Sequence, residues 1–201
     1  MADLFRAYRL LCIGGNKGVL KTIYIILSRS ETFVSKIIGA VTAEPFTHAS
    51  IAFDDTLSPM YSFARKRTFP LPGGLRLEYV DKGYYKEHKH IPCALYSLEV
   101  SDEVYCAARN LVAEMLLELD RYNYNVIGLV LCKLNIAFSR PYHFFCSEFV
   151  SNVLERSHAL KLPKTPSLMR PSDYTRIPGL ELRFNGEMQG LARYLTLERA
   201  V

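Results

Sequence analysis

The chain has 201 residues, 49% of them hydrophobic and 22% charged, with 13 Tyr, 11 Phe and no Trp. That composition excludes a disordered or low-complexity polypeptide and supplies enough apolar side chains for a sizeable core. The formal charge of +5 is scattered, and no nucleic-acid motif accompanies the one compact basic run, Arg65-Lys66-Arg67, so a nucleic-acid partner is not expected.

The five cysteines (Cys12, Cys93, Cys106, Cys132 and Cys146) are odd in number and show neither a disulfide framework nor metal-site spacing. Free thiols fit a reducing compartment, and no metal or organic cofactor is expected. The apolar run near the N-terminus is too short for a signal sequence and carries Asp3. The longest apolar stretches, 22–27 and 126–132, are far shorter than a membrane span. The expectation is a cytoplasmic protein without a transmembrane segment. It would be a single domain over 1–201, with a core at about 22–174 and a Pro-rich wrap and tail over 160–201.

Along the chain, Thr22-Ile23-Tyr24-Ile25-Ile26-Leu27 is a β-branched and aromatic run, which predicts a buried strand. Ser30 caps a predicted helix in which Phe33, Ile37 and Ile38 recur at helical spacing up to Gly39. His48-Ala49-Ser50-Ile51-Ala52-Phe53 predicts a second strand, and residues 60–64 its hairpin partner. A Pro- and Gly-rich loop at 70–74 leads to an alternating strand over 75–80, and another strand is predicted over 94–100.

Ser101-Asp102-Glu103 then opens a helix with an N-cap and two acids in its positive first turn. Val104, Ala108, Leu111, Val112, Met115 and Leu119 share one face of it. A further helix is predicted over 126–137. In Cys146-Ser147-Glu148-Phe149-Val150-Ser151-Asn152-Val153-Leu154-Glu155 the residues Phe149, Val150, Val153 and Leu154 make an apolar stripe, with Ser147, Ser151 and Glu155 turned away from it. Cys146 therefore falls at or just before the first helical turn. Pro163, Pro166, Pro171 and Pro178 predict a long extended wrap after it.

A helix start stabilises a thiolate through unpaired amide N–H groups and the positive end of the dipole, and a neighbouring imidazole can take the proton. Cys146 has the first feature by position; a buried helix cysteine is the other reading of it. Five histidines are available as partner. His88, His90 and His158 read as surface residues, His143 is the local rival three residues before Cys146, and His48 stands at the head of a predicted strand.

The strings Phe46-Thr47-His48-Ala49-Ser50-Ile51 and Phe144-Phe145-Cys146-Ser147-Glu148-Phe149-Val150 resemble the two signature blocks of the permuted NlpC-type papain-like proteins. This is the YiiX/YaeF-like branch, related in architecture to lecithin–retinol acyltransferase-like enzymes. In that family the histidine comes first, on a strand, and the cysteine late, at a helix start. Here Cys146 follows His48 by 98 residues, and Pro171-Ser172-Asp173-Tyr174 resembles the family's closing segment. The resemblance spans roughly 22–174 in element order, with close similarity confined to the two blocks.

It implies an α+β fold, a small antiparallel sheet packed against helices that include the nucleophile helix. It implies Cys146 as nucleophile and His48 as general base, and then general acid. The family's third member, often Glu, lies on the strand after the histidine. Ser62 stands there in this chain, a departure from the pattern, and Glu78 on the next strand is the other candidate. A backbone donor at Cys146 itself would serve an oxyanion, with Tyr124 or Asn125 as a second donor or else as parts of a helix-linking turn. The implied activity is that of a cysteine hydrolase of the amidase or peptidase type on a small peptide or amino-acid amide. A lipid-directed acyltransferase or thioesterase, or an idle binding module, are the alternatives.

Overall fold

The structure is a computed structural model and describes residues 18–29, 44–64 and 73–198. The helix expected over 30–39, the basic run at 65–67 and Cys12 lie outside the described residues. The β-branched run becomes β1 (Leu20–Ser28), the central strand of a six-stranded antiparallel sheet. β1 pairs on one side with β2 (His48–Ala52), which pairs with β3 (Met60–Ala64) and then β4 (Gly74–Glu78). On its other side β1 runs along β5 (Pro92–Ser101), and a short helix α1 (Gly83–Glu87) lies between β4 and β5 in the chain. The fold is thus mixed α+β, and the predicted strands appear with their ends shifted by a residue or two.

Burial explains why β1 is apolar without alternation. Ile23, Ile25 and Leu27 join one core cluster, whereas Ile26 joins a second cluster on the other face. A strand covered on both faces has no solvent side to fill with polar residues. The first cluster lies beneath α2 (Asp102–Leu117) and α4 (Cys146–Arg156), the second beneath α1 and α5 (Met188–Glu198).

Helix α2 starts as expected, with Ser101 Oγ accepting from the Val104 N–H at 3.4 Å and Asp102 and Glu103 in the first turn. Ala108, Val112 and Met115 are its buried positions, while Leu119 falls beyond the helix end and is exposed. The next helix, α3 (Val126–Lys133), is four residues shorter than the predicted span to Ala137. Asn135 takes a left-handed φ of 61°, and the Asn135 and Ile136 N–H groups bond back to Cys132 and Leu131. That pair of bonds terminates a helix by satisfying its last carbonyls.

A two-stranded parallel ladder, β6 (Asn123–Tyr124) with β7 (His143–Phe144), sits immediately before α4. Phe144 and Phe149 pack on Phe63, with ring centroids 5.3 and 5.1 Å away, which seats the start of α4 against the sheet. Ser147 and Ser151 leave the apolar stripe as read from the sequence, but they do not reach water. Ser147 Oγ donates to the Met169 carbonyl at 2.7 Å, and Ser151 Oγ meets the Tyr174 hydroxyl, which donates to the Ser147 carbonyl at 3.0 Å. The closing segment thus lies over α4.

The extended wrap is only partly as expected. Two 3-10 turns, Pro166–Leu168 and Pro171–Arg176, interrupt the proline-rich stretch, each opened by one of its prolines. The chain then forms β8 (Glu181–Glu187) on the edge of β5, and helix α5. The wrap reading missed both because β8 is a mostly exposed edge strand held by backbone pairing, with little apolar patterning of its own. None of the helices among the described residues is long and apolar enough to cross a membrane.

Candidate functional site

Cys146 is the first residue of α4, and its neighbour Phe145 is extended at φ −97° and ψ 170°. The chain turns from β7 into the helix at this point, which leaves the sulfur at the end where amide N–H groups are unpaired. The side chain is 4% exposed, and Sγ lies 4.0 Å from the carbonyl oxygen of Thr47, the residue before β2. The start of a late helix and the start of an early strand therefore meet.

His48 is buried at the head of β2. Its Nε2–H donates to Glu78 Oε1 and Oε2, at 3.0 and 3.2 Å, and the ring lies near enough to the Cys146 thiol for each to shift the pKa of the other. With Nε2 taken by the carboxylate, Nδ1 is the nitrogen left for the sulfur. Alternation along β2 turns Ala49 and Ile51 into the core beneath α4, while Ser50 falls on the side of His48 and donates to Glu78 Oε2 at 2.7 Å.

The charges of these groups are mutually dependent. Burial by itself lowers the pKa of His48, but the Glu78 carboxylate, followed by contact with Cys146 and Glu78, holds it well above its ordinary value. Burial raises Glu78, yet His48 and the hydroxyls of Ser50 and Ser62 bring it below the usual carboxylate range. Burial also raises the Cys146 thiol. The hydrogen bond and charge of His48, with the Ala49 and Ser147 amides, outweigh that and lower it. All three shifts favour a thiolate, an imidazolium and a carboxylate in one row.

The sequence left Ser62 and Glu78 as rivals for the position behind the imidazole. The carboxylate on the ring is that of Glu78. Ser62 is wholly buried on β3; its hydroxyl makes no hydrogen bond of ordinary geometry among the described residues, but it lies near enough to the Glu78 carboxylate to help keep it ionised. His143, the local rival, is directed elsewhere, its Nδ1–H donating to the Pro141 carbonyl at 2.8 Å. His90 pairs with Glu187, His88 stacks on Tyr84, and His158 is exposed after α4.

Asn125 and Tyr124 differ from the donor role considered for them. The Asn125 side chain caps α3, its Oδ1 accepting from the Gly128 N–H at 2.9 Å, while Nδ2 donates to Glu148 Oε2 at 3.3 Å. Gly128 has to be glycine here, since a Cβ would come within 2.2 Å of Asn125 Nδ2. Tyr124 belongs to β6, packs at the edge of the first core cluster, and donates its N–H to the Gly73 carbonyl at 2.8 Å. Both residues thus fit the helix-linking turn.

Two residues not singled out from the sequence complete the surroundings. Ser50 was legible in principle, standing two residues from His48 on a strand and so on the same side. Glu148, at the third position of α4, is buried and accepts from the Phe145 N–H at 3.3 Å as well as from Asn125. Burial pushes its carboxyl up to about 7, against the smaller opposing effects of those two donors. A carboxyl with a raised folded-state pKa contributes stability below its unfolded value, about 4.3, and loses it as pH rises through about 7. Wild-type protein is therefore expected to lose about 3 kcal/mol between pH 4 and pH 8 from this residue. In Glu148→Gln that portion of the decline should vanish in denaturant titrations across the pH range; an unchanged decline would refute the assignment.

Among the described residues no cluster of His, Cys, Asp and Glu could hold a metal ion, and none of Cys93, Cys106, Cys132 and Cys146 is in a disulfide. Comparison with protein-family models, curated proteins and solved structures returned no match.

Proposed function

We propose that the chain is a cysteine hydrolase of the amidase or peptidase type with a permuted papain-like fold, acting on a small peptide or amino-acid amide. The observation that carries this reading is the row Cys146–His48–Glu78, built from a helix start, a strand head and a strand end. The order of the groups in the chain, histidine before cysteine, supports the permuted arrangement.

In the proposed reaction the Cys146 thiolate attacks the carbonyl carbon, and a tetrahedral oxyanion forms beside the Cys146 N–H. Collapse breaks the C–N bond, and His48 gives its proton to the departing amine. Water then attacks the thioester as His48 accepts a proton from it, and collapse expels the Cys146 thiolate, releasing the acid and regenerating the thiolate–imidazolium pair. Glu78 holds the ring with Nδ1 toward sulfur and stabilises its protonated form. The idle-module alternative drew on Ser62 in place of an acid, and the carboxylate on His48 removes that ground.

The test is an intact-mass measurement after exposure to p-nitrophenyl acetate and to a panel of amino-acid amides. A single acyl adduct mapping to Cys146, absent from Cys146→Ala and lost on standing in water, is expected. The same adduct in Cys146→Ala, or none from any acyl donor, would defeat the proposal.

A further inference from the structure

Helix α3 is apolar on both of its faces. Its inner side is pinned at each end, by the Asn125 cap and by Arg170 Nη2, which donates to the Cys132 and Lys133 carbonyls at 3.2 and 3.3 Å. Its outer side and the turn after it present Val126, Ile127, Val130, Leu134 and Ile136, between 42 and 65% exposed. A helix that is apolar all round is normally covered, and this one is held too firmly at its ends to roll its outer residues inward.

Charge and size say what kind of cover fits. No Asp or Glu occurs between Arg121 and Ser147, a stretch that holds Arg121, Lys133 and Arg140. Glu118 pairs with Arg121, and Glu44 with Lys133 and Arg170. Among the described residues no carboxylate pairs with Arg140, which is exposed. Tyr142, also exposed, lies under the Arg121 guanidinium at 4.2 Å from its ring centroid. An apolar stripe in a segment without acids, with the exposed Arg140 and a tyrosine following it in the chain, matches the depth profile of a bilayer interface, with tails inside and anionic headgroups at the rim. Five exposed side chains make a small patch beside the about 800 Å² that a stable dimer needs from each partner. A helix of this length, about 12 Å, can lie in the interface but cannot cross it.

We infer that the outer face of α3 docks the protein on an anionic lipid bilayer. The docking is independent of the chemistry proposed for Cys146, and the Cys146→Ala chain binds as the wild type does.

The full chain is tested by co-sedimentation with vesicles of phosphatidylcholine and phosphatidylserine (3:1) and of phosphatidylcholine alone. Binding about fivefold tighter to the anionic vesicles is expected, consistent with roughly 1 kcal/mol for the one cation of this face, Arg140, that pairs with no carboxylate among the described residues. Ile127→Glu with Leu134→Glu should weaken it about tenfold or more, while Leu197→Glu, on an exposed position of α5, should leave it unchanged. Since the chain has no Trp, Val130→Trp adds a single reporter. Its emission should shift to the blue on anionic vesicles and be quenched by brominated acyl chains. This second readout decides the matter if the double variant fails to fold. No binding, equal binding to both vesicles, an unshifted Trp, or a wild-type dimer in sedimentation that the double variant dissolves would each overturn the inference. The last would assign the face to a second copy of the chain.

Discussion

Iodoacetamide is expected to alkylate Cys146 at pH 6 on the order of tenfold faster than it alkylates the same cysteine in His48→Ala. An ordinary thiol titrates near 8.5, and at pH 6 almost none of it is thiolate. In the wild type burial raises the thiol pKa, but the hydrogen bond and charge of His48, with the Ala49 and Ser147 amides, outweigh it and lower the pKa, so a larger thiolate fraction is expected at pH 6. The gain in thiolate fraction is partly offset by the lower intrinsic nucleophilicity of a more acidic thiol, which is why the net factor is modest. Removing the imidazole leaves burial as the dominant influence, and the variant's profile should climb only at or above the ordinary thiol range. Burial raises Cys93 to about 12 and also raises Cys132, so neither competes at pH 6. Tryptic mapping of the label against pH makes the measurement. A wild-type profile with the midpoint of an ordinary thiol, or one indifferent to His48→Ala, would remove the ion pair and the nucleophile assignment with it. Turnover of any substrate found should fall to background in Cys146→Ala and by about a thousandfold or more in His48→Ala.

The second large effect is expected at Glu78. Glu78→Gln keeps an acceptor for the His48 Nε2–H but discards the charge that outweighs burial of the ring. The His48 pKa should fall, the Cys146 pKa should rise in response, and the acid limb of the alkylation profile should move toward neutral pH. Turnover near pH 7 should drop by about 10- to 100-fold. Ser62→Ala should change both far less, since its hydroxyl makes no hydrogen bond of ordinary geometry to the ring.

Stability gives an independent check with a definite sign. Glu78 is depressed in the folded state, so its contribution is present above its unfolded value, about 4.3, and disappears as pH falls through the lower folded one. His48 is raised, so its contribution is present below its unfolded value, about 6.5, and is lost as pH rises through the higher folded one. The two together predict that wild type and Glu78→Gln differ most in thermal melts between about pH 5 and pH 6 and converge in strong acid. Equal melting temperatures at every pH would show that the Glu78–His48 pair stores no free energy.

Some of this was legible along the chain because its causes are local. Strand β1 announced itself by five consecutive β-branched or aromatic residues followed by Leu27, α2 by its Ser101 cap and acidic first turn, and the Cys146 helix by an apolar stripe with period 3.6. Such signals concern a backbone segment and its immediate neighbours. The α5 positions Met188, Leu191 and Leu195 carry a helical spacing too, but they were hidden behind the expectation that prolines kept the end of the chain extended.

The remainder depended on which segments came to lie side by side. Nothing in the alternation of residues 60–64 and 75–80 says whether Ser62 or Glu78 reaches the imidazole, because a side chain's reach across a sheet depends on strand pairing and on its own length. The same holds for Asn125, whose amide could serve a ligand, a cap or a carboxylate, and which tertiary packing turned toward Gly128 and Glu148. Proton affinities belong to this class most fully: Cys146, His48 and Glu78 have ordinary values as isolated residues. Only burial together, with one charge facing the next, separates them. The sequence by itself determined most of the sheet and the helices at Asp102 and Cys146, and it offered the candidate reactive side chains; the tertiary structure decided their neighbours, since contacts between residues far apart in the chain leave no local periodicity to read.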